Sequence, residues 1–285
     1  VLRKRRFRWA VIPAALVTIL ALAGCSQQQQ FGFLPITDLN TTNHTSEVVG
    51  LWNTSWLVLL GVGLVTWGLI IWAAVVYRRR KGQTGLPVQL RYNMPIEIFY
   101  TIVPLILVLG FFAFTAKTQN NIETPPVAAP QVHISVYGER WAWTFDYDDS
   151  NTYSPGIQAQ TEAETGALTQ PLNTLYLPVN KRVEIKIYSR DVAHSFWIVN
   201  FLYKKDMIPG KTNYMYFVPE KIGTYQGKCA ELCGQYHSLM LFQVKVVSDA
   251  DYNTYIAAQR IKDPGLLGSN YNANTNLPGT GAPKG

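Results

Sequence analysis

The sequence predicts a two-helix membrane hairpin followed by an exported all-β sandwich domain. Three observations carry this expectation. Two apolar runs, Leu51 to Tyr77 and Pro95 to Ala116, each have the roughly 20 residues that a helix needs to cross about 30 Å of hydrocarbon. Beyond residue 130 the pattern changes to short stretches that alternate apolar and polar with period two, the mark of half-buried strands. Finally, charged residues make up only 15% of the 285-residue chain, against about 25% in soluble domains.

The net charge of +7 sits beside the apolar segments. Arg3, Lys4, Arg5, Arg6 and Arg8 open the chain; Arg78, Arg79, Arg80, Lys81 and Arg91 fill the segment between the two runs. From Lys117 onward, 15 basic residues face 15 acidic ones. Charge placed this way orients a protein in a membrane and forms no basic face, which excludes a nucleic-acid partner.

Residues 1–24 read as an export signal: a basic start, then an apolar run from Trp9 to Ala23 that is short for a span. The run ends Leu22-Ala23-Gly24-Cys25, which resembles the lipobox of bacterial lipoproteins, with Cys25 as the lipidated residue. The alternative is an uncleaved anchor with a chance Cys. Residues 25–50 are expected to be an exported polar tether, 51–77 the first transmembrane helix, 78–94 a cytoplasmic loop and 95–117 the second helix. The positive loop places the N-terminus and the downstream domain on the outer face of a bacterial plasma membrane, with lipid as the surroundings of both spans. Glu97 lies just inside the second span, where a carboxylate is costly and so a functional candidate, or an interfacial group reaching water. Pro104 removes a helical N–H.

A Pro-rich linker, 118–130, leads into the sandwich domain at 131–250. His133 to Tyr137, Arg182 to Tyr188 and Phe242 to Val247 alternate, which predicts an antiparallel sandwich or barrel. The Thr-, Gln- and Gly-rich stretch at 150–171 reads as an inserted loop. Residues 251–285 are expected to hold a short helix and a disordered tail.

The chemistry is concentrated in Cys229-Ala-Glu231-Leu-Cys233-Gly-Gln-Tyr-His237-Ser-Leu-Met240, with His194 upstream in Asp191-Val-Ala-His-Ser-Phe. Thiolate and thioether donors select copper(I), and imidazole serves either copper oxidation state. A mononuclear blue-copper site needs one Cys; two Cys can bridge two coppers. A disulfide, a thiol redox pair and half of a zinc site are the competing readings. The disulfide leaves the nearby His and Met unexplained, and zinc leaves the Met unexplained. His44, His133, Met207 and Met215 lack neighbouring donors and are set aside.

These two segments, with Trp141-Ala-Trp143-Thr-Phe-Asp146-Tyr-Asp148-Asp149, resemble subunit II of the haem–copper cytochrome c oxidases over residues 50–262. The resemblance implies a cupredoxin-like domain in which His194, Cys229, Cys233, His237 and Met240 ligate the dinuclear copper centre CuA. Glu231 would add its backbone carbonyl to copper and its carboxylate to a magnesium ion shared with subunit I. It further implies electron transfer through Trp141, docking of a c-type cytochrome at Asp146, Asp148, Asp149 and Asp191, and a place for Glu97 near the mouth of a proton channel. Oxidase subunits I and III would be partners. Electrons would pass to haem in subunit I, where oxygen is reduced to water and protons are translocated, so this chain alone is not expected to reduce oxygen. The near-neutral exported domain favours a donor fixed in a cytochrome bc supercomplex over a soluble one steered from afar. A quinol-oxidase subunit II would lack the copper ligands. The rivals from other classes are a membrane-anchored copper chaperone, a thiol redox protein and a disulfide-stapled lipoprotein.

Overall fold

The computed structural model describes residues 26–86, 89–162 and 164–261. The expected signal segment at 1–24, Cys25 and residues 262–285 of the expected tail fall outside the described residues. A single helical turn, α1 (Gln27–Gln30), precedes two long helices, α2 (Thr45–Val76) and α3 (Met94–Glu123). Both long helices are strongly apolar, and their apolar stretches are not buried by the rest of the chain. A helix of that kind requires an apolar surrounding, and both are long and apolar enough to cross a membrane.

Each helix is longer than the apolar run that predicts it. Asn93 caps α3 by accepting from Ile96 N–H, and Pro95 occupies the first turn, where its missing donor costs nothing. At its far end α3 continues past Lys117 to Glu123, so the expected linker begins as helix. There Asn121 donates to Glu47 of α2 (2.8 Å), and Glu123 pairs with Lys205 of the sandwich.

The sandwich has eleven strands among the described residues. They are β1 (Val132–Glu139), β2 (Ala142–Tyr147), β3 (Thr152–Ser154), β4 (Thr174–Pro178), β5 (Val183–Ser189), β6 (His194–Ile198), β7 (Tyr203–Met207), β8 (Asn213–Phe217), β9 (Gly223–Cys229), β10 (Leu241–Val247) and β11 (Arg260–Ile261). One sheet runs β11-β3-β2-β1-β5-β8 and the other β4-β10-β9-β6-β7. The hairpin-plus-sandwich architecture agrees with the sequence expectation. The strand pairing corrects it: β1 pairs β5 in parallel, and β4 pairs β10 in parallel, so both sheets are mixed. Alternation reports which side of a strand is buried and carries no information on direction.

The core fills with the inward faces of both sheets. Trp143, Phe145, Phe196 and Phe242 form its aromatic centre, with Phe196 stacked on Phe242 at 4.7 Å and Trp143 edge-on to Phe196 at 5.3 Å. Gly227 lies opposite Phe242 in the β9–β10 ladder, and a Cβ there would come within 2.1 Å of that ring. Helix α4 (Asp249–Ala257), capped by Ser248, packs Tyr252 and Tyr255 edge-on to the buried Tyr147.

Two loop expectations are corrected. The 25–50 segment is no free tether where it is described: Phe31, Ile36 and Val49 form a small buried cluster. Asn43 bonds the Val218 backbone through both its N–H (3.1 Å) and its side chain (2.7 Å), and Asp38 pairs with Lys221. Three apolar residues without periodicity give no local signal of this docking. The 150–171 stretch is only partly a loop, since it supplies β3 and a bridge between Thr161 and Leu168.

Candidate metal centre

Three connections meet at one end of the sandwich: the β1–β2 turn, the β5–β6 turn and the β9–β10 loop. Cys229 is the last residue of β9 and His194 the first of β6, and these strands pair with Phe196 opposite Cys229. That register sets the His194 ring over the loop. The loop is tied at its base by Cys229 N–H to Met240 C=O (3.0 Å) and by Ala230 N–H to Ser195 C=O (3.0 Å). A short helical turn, His237–Leu239, brings His237 and Met240 back toward the cysteines.

The donors converge. Cys229 Sγ lies 3.9 Å from Cys233 Sγ, 3.9 Å from His194 Nδ1 and 3.2 Å from the Glu231 carbonyl oxygen. Cys233 Sγ lies 3.5 Å from His237 Nδ1 and 3.7 Å from Met240 Sδ. Both thiols are free and buried, and His194 and Met240 are fully buried. Among the described residues, His194, Cys229 and Cys233 form a group whose ligand atoms all lie within 4.8 Å of one another. Two thiols, two imidazole nitrogens, a thioether and a carbonyl around one small volume fit a soft, multi-thiolate metal such as copper. Cys229 and Cys233 are not disulfide-bonded, and their separation leaves room for bridging ions.

Electrostatics prepares the thiols unequally. Burial, the largest single influence, opposes ionisation of Cys229, but its contacts with His194 and with the Glu231 and Ser195 backbone together outweigh it and draw the thiol down to about 7. Burial and then the neighbouring Cys229 charge push Cys233 above the ordinary thiol range.

Asp191 is placed differently from its expected role. It is buried rather than presented to a docking partner. Its carboxylate accepts from His194 Nε2 (2.8 Å), Arg140 N–H (2.7 Å) and Val192 N–H (2.7 Å). Donation by Nε2 selects the His194 tautomer whose Nδ1 lone pair faces the sulfurs. Burial alone would raise the Asp191 carboxyl, but these bonds hold it down at about 2, below the usual 3.8. Burial likewise pulls His194 down, and its bonds to Asp191 and Cys229 reverse this to a net rise above 6.5. The carboxylate's stabilisation is therefore full above about pH 4 and lost as pH falls toward 2; the share from a charged His194 is full below about pH 6.5 and fades above it. An Asp191→Asn variant of the metal-free protein is expected to lose about 2 kcal/mol near pH 5–6. The gap to wild type should close at pH 2, and urea unfolding at both pH values checks it.

Asp146 is also corrected as a docking residue: it is buried, 3% exposed. Asp148 accepts from Ser135 Oγ and Asp149 from His133, and both follow the end of β2 remote from Trp141. A six-residue strand separates the two ends by about 20 Å, so these acids make no common face with the metal centre.

Trp141, in the β1–β2 turn, reaches the cysteine loop. Its Nε1 donates to Cys233 C=O (3.3 Å) and its ring stands edge-on to Tyr236 at 4.9 Å. Gly234, at φ +120°, lies under the indole; a Cβ would sit 3.3 Å from it. Two contributors escape sequence reasoning. Trp143 is fully buried and donates from Nε1 to Met240 C=O (3.2 Å), and Tyr236 flanks Trp141. Their W-x-W and loop neighbours hint at proximity, but which aromatic faces the loop follows from strand register. Glu231 projects an exposed side chain beside its buried cysteines. Glu97 is far off at the opposite end of α3, where its carboxylate accepts from Asn93 N–H (2.7 Å) and closes the helix start.

The family model for the periplasmic domain of cytochrome c oxidase subunit II matches residues 132–247. A probable cytochrome c oxidase subunit 2 of Streptomyces avermitilis is 39% identical over 243 residues, covering 75% of this chain and 76% of that protein. The cytochrome c oxidase subunit 2 of Mycobacterium bovis is 31% identical, covering 88% of this chain and 80% of its own length. The crystal structure of the periplasmic domain of subunit II of cytochrome oxidase from Bradyrhizobium japonicum is 26% identical, covers 47% of this chain and 96% of that one, and superposes with a TM-score of 0.41. With relatives at this identity aligned over three quarters of both chains, and with the sandwich matched by the family model, the chain belongs to the cytochrome c oxidase subunit II family.

Proposed function

We propose that this chain binds a dinuclear CuA centre and accepts single electrons from a c-type cytochrome on the outer face of the membrane for delivery to haem in subunit I. The observation that carries the reading is the convergence of both thiols, both Nδ1 atoms, the thioether and the Glu231 carbonyl at one buried end of the sandwich. When bound, a pair of copper ions would supply one-electron transfer with little change in its bonds, because the electron would be shared between the two ions.

The protein's own residues do the rest. Cys229 and Cys233 would bridge the ions, His194 and His237 would bind through Nδ1, and Met240 and the Glu231 carbonyl would be weak outer donors. Asp191 holds the His194 ring in place. The buried Met240 and Trp143 keep water from the inner side. Trp141, bonded to the Cys233 carbonyl, would be the contact through which the donor's electron arrives. The exposed Glu231 carboxylate would meet magnesium at the boundary with subunit I, where a hard ion keeps oxygen ligands and water. The acid-free basic segment from Arg78 to Arg91 supports a cytoplasmic loop, and so an outward-facing sandwich. Glu97 would stand near the cytoplasmic mouth of a proton path, and Cys25 would be lipidated.

The test is metal content with absorption and EPR spectra of the copper-loaded protein. Two coppers per chain and one electron delocalised over both are expected. One copper per chain would favour the chaperone reading, and none with a Cys229–Cys233 disulfide the redox or structural readings.

A further inference from the structure

Strand β1 turns Val132, Ile134 and Val136 into the core, and the next inward position of that series is Gly138. Glycine inside a strand weakens it and marks a close approach. The Gly138 backbone is not left-handed, so the glycine is there for room. The facing sheet takes that room. A Cβ at 138 would lie 3.2 Å from His194 Cδ2, 3.4 Å from His194 Cγ and 3.3 Å from Met207 Cε.

His194 and Met207 are cross-strand partners, the first residue of β6 against the last of β7. Directly opposed residues of an antiparallel pair put their side chains on one face of the sheet. Both are fully buried. Met207, which has no donor near it in the sequence, thus stands beside a candidate copper ligand. We propose that Gly138 and Met207 are positioning residues that seat the His194 ring and so set the aim of its Nδ1. Their effect on a metal rests on the copper reading; the seat itself does not.

The two ring nitrogens are already engaged, Nε2 with Asp191 (2.8 Å) and Nδ1 toward Cys229 Sγ (3.9 Å). Restraints at those two atoms leave the ring able to tilt about the line that joins them. Cγ and Cδ2 both lie on one side of that line, and they are the ring atoms that Gly138 meets. Packing at this carbon edge resists the tilt that the polar contacts permit. A side chain at 138 would press on the ring there. Loss of the Met207 thioether would leave a gap beside it, and a close-packed interior closes such gaps only in part. Methionine suits the place because its unbranched chain fills irregular space. A metal ligand needs such support, since its geometry must hold to about 0.5 Å.

The test uses the full-length chain in detergent, with 15N placed only in its four histidines. In the metal-free protein the His194 ring nitrogens are expected to shift in Met207→Ala and to stay near wild type in Met207→Leu, which nearly keeps the volume. His44, at the start of α2, and His133, near the start of β1, serve as references. Gly138→Ala alone should also shift His194. Combined with Met207→Ala it should bring the signals part of the way back, because the new methyl enters the space that Met207 leaves. After copper loading, the absorption and EPR spectra should move in Met207→Ala and recover in Met207→Leu. Gly138→Ala carries the same test where Met207→Ala does not fold. His194 nitrogens unmoved in either single variant, with only the unfolding midpoint lowered, would make the pair ordinary core packing. A double variant whose shift is the sum of the two single shifts would show that the residues share no seat. Either result overturns the proposal. The nitrogen readout needs no metal, so a wild-type chain that fails to bind two coppers would count against the copper reading alone.

Discussion

Replacing Cys233 with Ser is expected to abolish the two-copper centre. Cys233 Sγ is the hub of the cluster, within 3.5 to 3.9 Å of His237 Nδ1, Met240 Sδ and Cys229 Sγ. A hydroxyl is a hard, weakly acidic donor and cannot bridge soft copper ions as a thiolate does. The change is nearly isosteric, so the sandwich should keep its fold and its unfolding midpoint. The oxidase carrying it should lose donor oxidation by more than the roughly 10- to 100-fold typical of losing a group that only orients a metal ligand. Metal analysis and EPR of the variant check this, with circular dichroism as the folding control. Two coppers and an unchanged delocalised signal would sink the bridging role.

Truncating Trp143 to Ala should be the most damaging change in the core. The indole is fully buried, packs against the stacked rings of Phe196 and Phe242, and donates to the Met240 carbonyl. Removing such a ring costs about 3–5 kcal/mol through lost transfer energy and the cavity left behind. Trp143→Phe keeps most of the packing and removes the donor. Because Met240 C=O also accepts from Cys229 N–H, this milder variant should lose only about 1 kcal/mol. Its copper site should still shift spectroscopically, since the Met240 backbone loses one of two restraints. Urea unfolding of both variants separates the effects; equal losses would mean that the hydrogen bond, and not the ring, dominates.

The cluster is readable in the sequence because it is local. Four of its donors and the carbonyl fall within the twelve residues from Cys229 to Met240, so spacing alone exposes them. His194 stands in a short motif of the same kind, and the resemblance supplies its link to the cysteines. Asp191 marks where local patterns stop informing. The resemblance counts it among the docking acids. Folding buries it, because the β5–β6 turn lies against the β1–β2 turn, where Arg190 N–H bonds Gly138 C=O and Arg140 N–H bonds Asp191. Those partners are about fifty residues apart in the chain, and no local pattern joins them. Asp146 misleads for the same reason: it occupies a strand between two apolar residues and takes the burial of its sheet.

The sequence by itself determined the two apolar helices, the strand faces and the grouping of donor side chains from Cys229 to Met240, all of which follow from side-chain chemistry at short spacing. Only the tertiary structure decided strand direction, the docking of residues 26–50, and which aromatic and acidic groups support the metal centre. The physical reason is that parallel pairing, burial and hydrogen-bond partnership depend on contacts between distant segments, which exist only once the chain has closed on itself.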